Sequence, residues 1–209
     1  MQEPDQMESR TTLLTALFQG LQGTWVLNRK LQSADPSEPS GRCSGKATFT
    51  NTQPSPVIDH QGKLQIADAE LLYHEQGEFE MAPLNPVTGQ DNVPKFSFSR
   101  KYIWRLQKAE NAFTISVWFT KPGTNAIDYL FHKIDIAFHD LDASSSDNEL
   151  VLHGSGGHLC VDDFYSSSYS FNLSGSDISA SMLTSWTTLH EVRGPKKDQI
   201  IETTFTRPE

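Results

Sequence analysis

Long apolar runs are missing from this 209-residue chain, and no stretch approaches the roughly 20 consecutive apolar residues that a membrane-spanning helix needs. Its longest apolar stretch, Leu13 to Leu21, is short, follows an acidic and polar start and lacks the basic lead-in of a targeting signal. Cysteine is nearly absent as well. Cys43 and Cys160 stand alone in a chain large enough to form a core without staples, which fits a reducing, cytoplasmic setting and leaves a single disulfide possible but unforced. Basic residues are scarce, 17 Lys and Arg against 26 Asp and Glu, for a formal net charge of −9. That balance excludes the basic surface required by nucleic acid or an anionic membrane. Also missing are a Gly-x-Gly-x-x-Gly after a strand, a phosphate-binding Gly-x-x-x-x-Gly-Lys-Ser/Thr and a Gly-x-Ser-x-Gly elbow, which sets aside nicotinamide redox and nucleotide-driven chemistry. Gly154-Ser155-Gly156-Gly157 reads instead as a turn between strand segments.

What is present is alternation. Residues 1–10 read as a disordered N-terminus and residues 11–207 as one domain. Leu13, Leu14, Leu17, Phe18 and Leu21 fall on one helical face, which predicts a short helix over 11–20 ending at Gly20 and Gly23. From residue 23 the period changes to two. Strands are predicted at 24–31, 43–50, 64–66, 70–79, 95–107, 112–120, 128–138, 149–160, 164–173 and 186–207, the last broken in its middle. Loops rich in Pro, Ser, Asp and Gly separate them. A run of antiparallel strands must hide its edges, so the expected fold is all-β, a single closed barrel of about eight to ten strands, one end plugged by the helix.

The predicted strands carry polarity on faces that a dry core would keep apolar. Side chains two apart point the same way, so Arg100, Tyr102 and Trp104 share a face, as do Leu71, Tyr73 and Glu75. His158 with Cys160, and Tyr165, Ser167, Tyr169 and Phe171, form two more such faces. Burying even a neutral polar group without a partner costs roughly 2–7 kcal/mol, so this much inward polarity implies a lined, wet cavity.

A family resemblance follows from a series of motifs. Gly23-Thr24-Trp25 resembles the Gly-x-Trp opening of lipocalins and related calycin barrels, in which the Trp packs at the barrel base against an Arg of the last strand. Arg207 is the expected partner and Arg193 the second choice. Continuing through Arg29, Gly45-Lys-Ala47-Thr-Phe49, Leu72-Tyr73-His-Glu75-Gln-Gly77, Ser99-Arg100-Lys-Tyr102-Ile-Trp104-Arg105, Phe131-His132, His158-Leu-Cys160-Val-Asp-Asp163-Phe-Tyr165 and Val192-Arg-Gly194-Pro195-Lys-Lys197-Asp198, the chain resembles a lipocalin-like family catalogued as domain of unknown function 6314. That resemblance implies a calycin-type barrel and carries no reaction with it. The chain departs from the family pattern where Lys121-Pro122-Gly123-Thr124-Asn125 replaces a tight turn, and where Gln199 replaces an aromatic, changes that point to a different ligand.

Glu75 with Tyr73, facing Arg100 with Tyr102, is the constellation expected to carry chemistry, since a buried carboxylate needs a cation. An ion pair that only locks strand register is the alternative. Glu75, His158 and Tyr102 are the candidate catalytic residues. Arg29, Tyr73, Arg100, Trp104, His132, Tyr165, Tyr169 and Lys197 are the candidate ligand-binding residues. His132 or His158 can move a proton near neutral pH, or simply hydrogen-bond a neighbouring strand. Gly194 and Pro195 are expected to bulge the last strand and aim Lys197 inward or over the rim, where it either binds an anion or pairs with Asp198 in solvent. The leading expectation is a cofactor-free enzyme performing isomerisation, cyclisation, dehydration or decarboxylation on a small hydrophobic or aromatic metabolite, as a monomer or homodimer. The alternatives are a carrier, a haem or metal barrel using His158 and Cys160, and a protein-interaction module; no metal and no cofactor are assigned.

Overall fold

Among the described residues, period-two alternation from Gly23 onward folds into twelve strands, ten of which close on themselves. The computed structural model describes residues 4–58, 62–82, 94–109, 112–138, 149–175 and 182–209. Helix α1 spans Pro4–Gly20. The strands are β1 (Gly23–Ser33), β2 (Gly41–Thr52), β3 (Val57–Ile58), β4 (Leu64–Gln65), β5 (Ala69–Met81), β6 (Lys95–Ala109), β7 (Ala112–Thr120), β8 (Ile127–Ala137), β9 (Glu149–Cys160), β10 (Asp163–Ser174), β11 (Met182–Arg193) and β12 (Asp198–Thr206). They run β1-β12-β11-β10-β9-β8-β7-β6-β5-β2, with β2 returning to β1, and every pairing is antiparallel. Closure gives every barrel strand a neighbour on both sides, although β8 and β9 pair only through residues 135–137 and 153–155. β3 and β4 form a separate two-stranded ribbon.

The apolar face of α1 decides which end is sealed. Leu13, Leu14, Leu17, Phe18 and Leu21 are buried together with Trp25, Phe171, Leu183, Trp186 and Phe205. Arg207 locks this end: it donates to the carbonyls of Gly20 (2.6 Å) and Gln22 (3.0 Å), and its guanidinium carbon lies 3.7 Å from the Trp25 ring centroid. Trp25 in turn donates from Nε1 to the Leu21 carbonyl at 2.8 Å. One arginine thus satisfies carbonyls at the helix C-terminus while stacking on the first strand. The expected Trp25–Arg207 contact is present. Arg193, the second choice, instead pairs with Asp198 and Glu191 at the surface.

Four local expectations are corrected. The helix begins at Pro4, so residues 4–10 are helical, while 1–3 lie outside the described residues. Gly154-Ser155-Gly156-Gly157 is no turn but the middle of β9, paired along its length with β10. A Cβ on Gly156 would sit 2.6 Å from His132 Cδ2, and one on Gly154 2.7 Å from Ile134 Cγ2, so these glycines admit the neighbouring side chains. The segment 186–207 is not one bulged strand: Arg193 pairs with Asp198, and the residues between them turn a hairpin joining β11 to β12. The short strand near residue 64 belongs to the ribbon rather than the barrel.

Antiparallel order places the ends of β1, β5, β7, β9 and β11 opposite α1. On the outer wall, Arg105 and Glu70 face each other across β5 and β6, both 2% exposed, with Arg105 Nε 3.3 Å from Glu70 Oε2. Arg105 also donates to the Ser55 carbonyl (2.7 Å) and Glu70 accepts from the Ser55 N–H (3.0 Å), which straps the chain between β2 and β3 against the barrel.

Candidate functional site

Inside the barrel, on the side away from α1, lies a cavity of about 530 Å³. Trp104, Trp186, Phe205 and Tyr169 line its deep part, and Pro39, Phe96, Cys160 and Lys197 stand where the strands end. The deep aromatics touch one another edge-to-face, with Trp104 6.1 Å from Tyr169 and 5.9 Å from Trp186 between ring centroids. Phe205 stacks flat on Trp186 at 3.6 Å. Such a volume suits a drug-sized molecule with most of its surface covered.

The wall carries one buried charge cluster. Arg29 on β1 donates to both Glu75 oxygens, Nη1 to Oε1 at 3.0 Å and Nη2 to Oε2 at 2.7 Å, and from Nε to Thr203 Oγ1 at 2.9 Å. Tyr73 donates its hydroxyl to Glu75 Oε2 at 2.5 Å. Gly45 and Gly77 oppose each other in β2 and β5, so the wall between these strands bears no side chain there and the pair reaches across it. Burial opposes the Arg29 charge, but the bonds and attraction of Glu75 outweigh it and raise its pKa. Burial and the Glu75 carboxylate hold the Tyr73 hydroxyl well above the usual phenol range. Tyr102 is also raised, by burial first, while the positive charge of Arg100 pulls the other way.

A second polar group depends on an irregularity in β8. Val117 pairs with His132 and Trp118 with Leu130, so Phe131 is an extra residue that reverses the alternation. Phe131 lines the cavity, and His132 beside it is 1% exposed, sharing a 2.6 Å hydrogen bond between Nε2 and the Tyr169 hydroxyl. Burial, then the charges of His190 and His158, push His132 down to about 3. His190 shares a 2.7 Å bond with Ser167 Oγ, and burial together with Arg29 pushes it down to about 4 against the opposing pull of Glu75. Both imidazoles are neutral at pH 7. Burial likewise raises Tyr169, which stays protonated. Among the described residues, His132 Nδ1 and Trp186 Nε1 are buried without a hydrogen-bond partner.

Arg29, Tyr73, Glu75, Arg100, Tyr102, Trp104, His158, Tyr165, Tyr169 and Lys197 all line this one cavity. His132 stands behind Tyr169 and reaches the space only through it. Glu75 and Arg100 do oppose each other in β5 and β6, yet the carboxylate pairs with Arg29, and Arg100 is exposed. Lys197 donates to the Tyr165 hydroxyl at 3.3 Å rather than pairing with Asp198. Cys43 and Cys160 are both free thiols and both line the cavity. Among the described residues no group of three or more His, Cys, Asp or Glu is placed to hold a metal ion. His190 and Thr188 were not anticipated, although Trp186, Thr188, His190 and Val192 share a period-two face that would have marked them.

The fold and its family can be placed by comparison. No curated protein matches the chain. The structure of S-type phycobiliprotein lyase CPES from Guillardia theta aligns with a TM-score of 0.50 at 8% identity, covering 100% of this chain and 99% of that one. At that identity the likeness is one of fold, a lipocalin-like antiparallel barrel. The family model described as a family of unknown function, DUF6314, matches residues 21–207, which contain the whole barrel. The chain belongs to that family.

Proposed function

We propose that the cavity binds a small, largely apolar molecule bearing a carbonyl, phenol or carboxylate oxygen and moves a proton on it without a cofactor. The observation carrying this reading is the Arg29–Glu75–Tyr73 cluster, built into the wall of a 530 Å³ cavity that Tyr102 also lines. Tyr102, kept protonated by burial, hydrogen-bonds the ligand oxygen. His158 or Glu75 takes a proton from the adjacent carbon, whose electrons pass into the carbonyl to give an enol or enolate. Glu75 must release the Tyr73 hydroxyl to act so. Isomerisation, cyclisation and dehydration start from such a step, whereas decarboxylation reaches the same enolate by losing carbon dioxide in place of the proton. The likeness to a phycobiliprotein lyase agrees with ligand chemistry in this fold but assigns no reaction.

A carrier is the second reading, favoured by the saturation of Glu75, whose oxygens already accept three hydrogen bonds. Exchange in heavy water separates the two. With 2-tetralone as an enolisable aromatic ketone, the catalytic reading requires α-proton exchange above the buffer rate, read by NMR, and lowered at least roughly tenfold in Tyr102→Phe. Bound ketone with exchange at the buffer rate supports the carrier and contradicts catalysis.

A further inference from the structure

The charges on the cavity wall do not balance. Three cations line it, Arg29, Arg100 and Lys197, against one carboxylate, Glu75. Arg29 and Glu75 neutralise each other through two short hydrogen bonds. Among the described residues no carboxylate lies in ion-pair range of Arg100 or Lys197, and the only polar side chain on Lys197 is the Tyr165 hydroxyl. On the outer surface Lys95 pairs with Glu80 and Arg193 with Asp198.

This local excess of two positive charges sits in a chain whose formal net charge is −9. Arg100 and Lys197 are both exposed and both stand on the cavity lining without an acidic partner among the described residues. Arg100 stands on β6 one step beyond Tyr102 on the same face, and Lys197 sits in the β11–β12 hairpin, so both occupy the outer half of the space. The inner half is lined by Trp104, Trp186 and Phe205. A low-dielectric funnel with cations toward its opening concentrates anions and orients a molecule that has one acidic and one apolar end. The reach of the Arg100 charge to the Tyr102 hydroxyl fits that placement.

We infer that the ligand is an amphipathic organic acid whose anionic group sits between Arg100 and Lys197 and whose aromatic or alicyclic body lies on Trp104 and Trp186. The inference rests on the reading of the cavity as a ligand site and narrows the oxygen function to an anion. The acid then bonds to cations while the deeper part of the same molecule is presented to Tyr102.

A matched pair of fluorescent probes tests it, because 1-anilinonaphthalene-8-sulfonate and N-phenyl-1-naphthylamine differ only in the sulfonate. Affinities are measured for the wild type, Arg100→Gln, Lys197→Gln and, as a control on the outer wall, Lys46→Gln. The ratio of sulfonate to neutral-probe affinity is expected to fall roughly three- to tenfold in each cavity variant and to stay constant in the control. In the wild type the same ratio should fall as salt is raised from about 0.02 M to about 0.5 M, over which the screening length shrinks about fivefold. That salt series needs no variant to fold. If the neutral probe binds and the ratio responds to neither substitution nor salt, the anionic assignment is overturned while the cavity reading stands. If neither probe binds, the ligand site itself is wrong.

Discussion

Arg29 and Glu75 come from strands separated by β2, and they nevertheless meet in a two-pronged ion pair at 3.0 and 2.7 Å inside the barrel. The Glu75 side chain is 3% exposed and that of Arg29 18%, so the carboxylate depends on its partner for solvation. Replacing Arg29 with Met should therefore destabilise the fold by about 3 kcal/mol, because a buried charge is left unpaired. The double variant Arg29→Met with Glu75→Leu should recover most of that loss. Urea unfolding of the three proteins checks both statements, and a double variant weaker than either single one would contradict them.

How much of this cluster is legible before folding depends on the range of the signal. The face shared by Tyr73 and Glu75, and that shared by Arg100, Tyr102 and Trp104, follow from period two alone, and all five residues do line the cavity. The partner of Glu75 does not follow, because a contact that skips a strand depends on the tilt and stagger of a closed barrel. His132 escapes simple alternation for a related reason. One extra residue at Phe131 reverses the inward face of β8, and a slip of one residue leaves no trace in composition. Residues 4–10 lack an apolar face, yet Gln6, Met7 and Glu8 are good helix formers and extend a helix anchored further along. The contact of Trp25 with Arg207 was legible because the resemblance to calycin barrels pairs this Trp with an Arg of the last strand.

His132 should leave a mark on the pH dependence of stability. Its pKa falls from 6.5 to about 3 on folding, so between about pH 3 and pH 6.5 the unfolded chain binds the proton that the folded one refuses. Stability then rises with pH across that window and the contribution levels off above it, with a slope of about 1.4 kcal/mol per pH unit for one proton. His132→Gln should remove one proton's share of the slope between pH 4.5 and 6, measured by urea midpoints at about 0.5-unit steps. An unchanged slope would show that the imidazole is not held neutral.

At the sealed end, Arg207→Met removes two hydrogen bonds to carbonyls at the end of α1 and the cation over Trp25. A loss of about 2 kcal/mol is expected. Arg207→Lys should recover less than half of it, since a point charge cannot reach both carbonyls while lying flat on an indole. Thermal unfolding followed by tryptophan emission measures the series, and full rescue by lysine would contradict the geometry.

Gly156→Ala brings a methyl group to 2.6 Å from both His132 Cδ2 and the Lys133 carbonyl oxygen. The cost should be about 2 kcal/mol. Combining it with His132→Ala should give less than additive destabilisation, because one of the two obstructing groups is then gone. Strict additivity in urea unfolding would place the histidine elsewhere.

Both the proposed proton transfer and the proposed anion site require a ligand between the aromatic floor and the polar wall of the cavity. The most direct measurement is a titration with N-phenyl-1-naphthylamine, followed by energy transfer from Trp104 and Trp186, in the wild type and in Thr188→Phe, which fills the buried lining at Thr188. One saturable site with one-to-one stoichiometry is expected, weakened at least about tenfold in the filled variant. Binding that never saturates, or that survives unchanged in a folded Thr188→Phe protein, would contradict it.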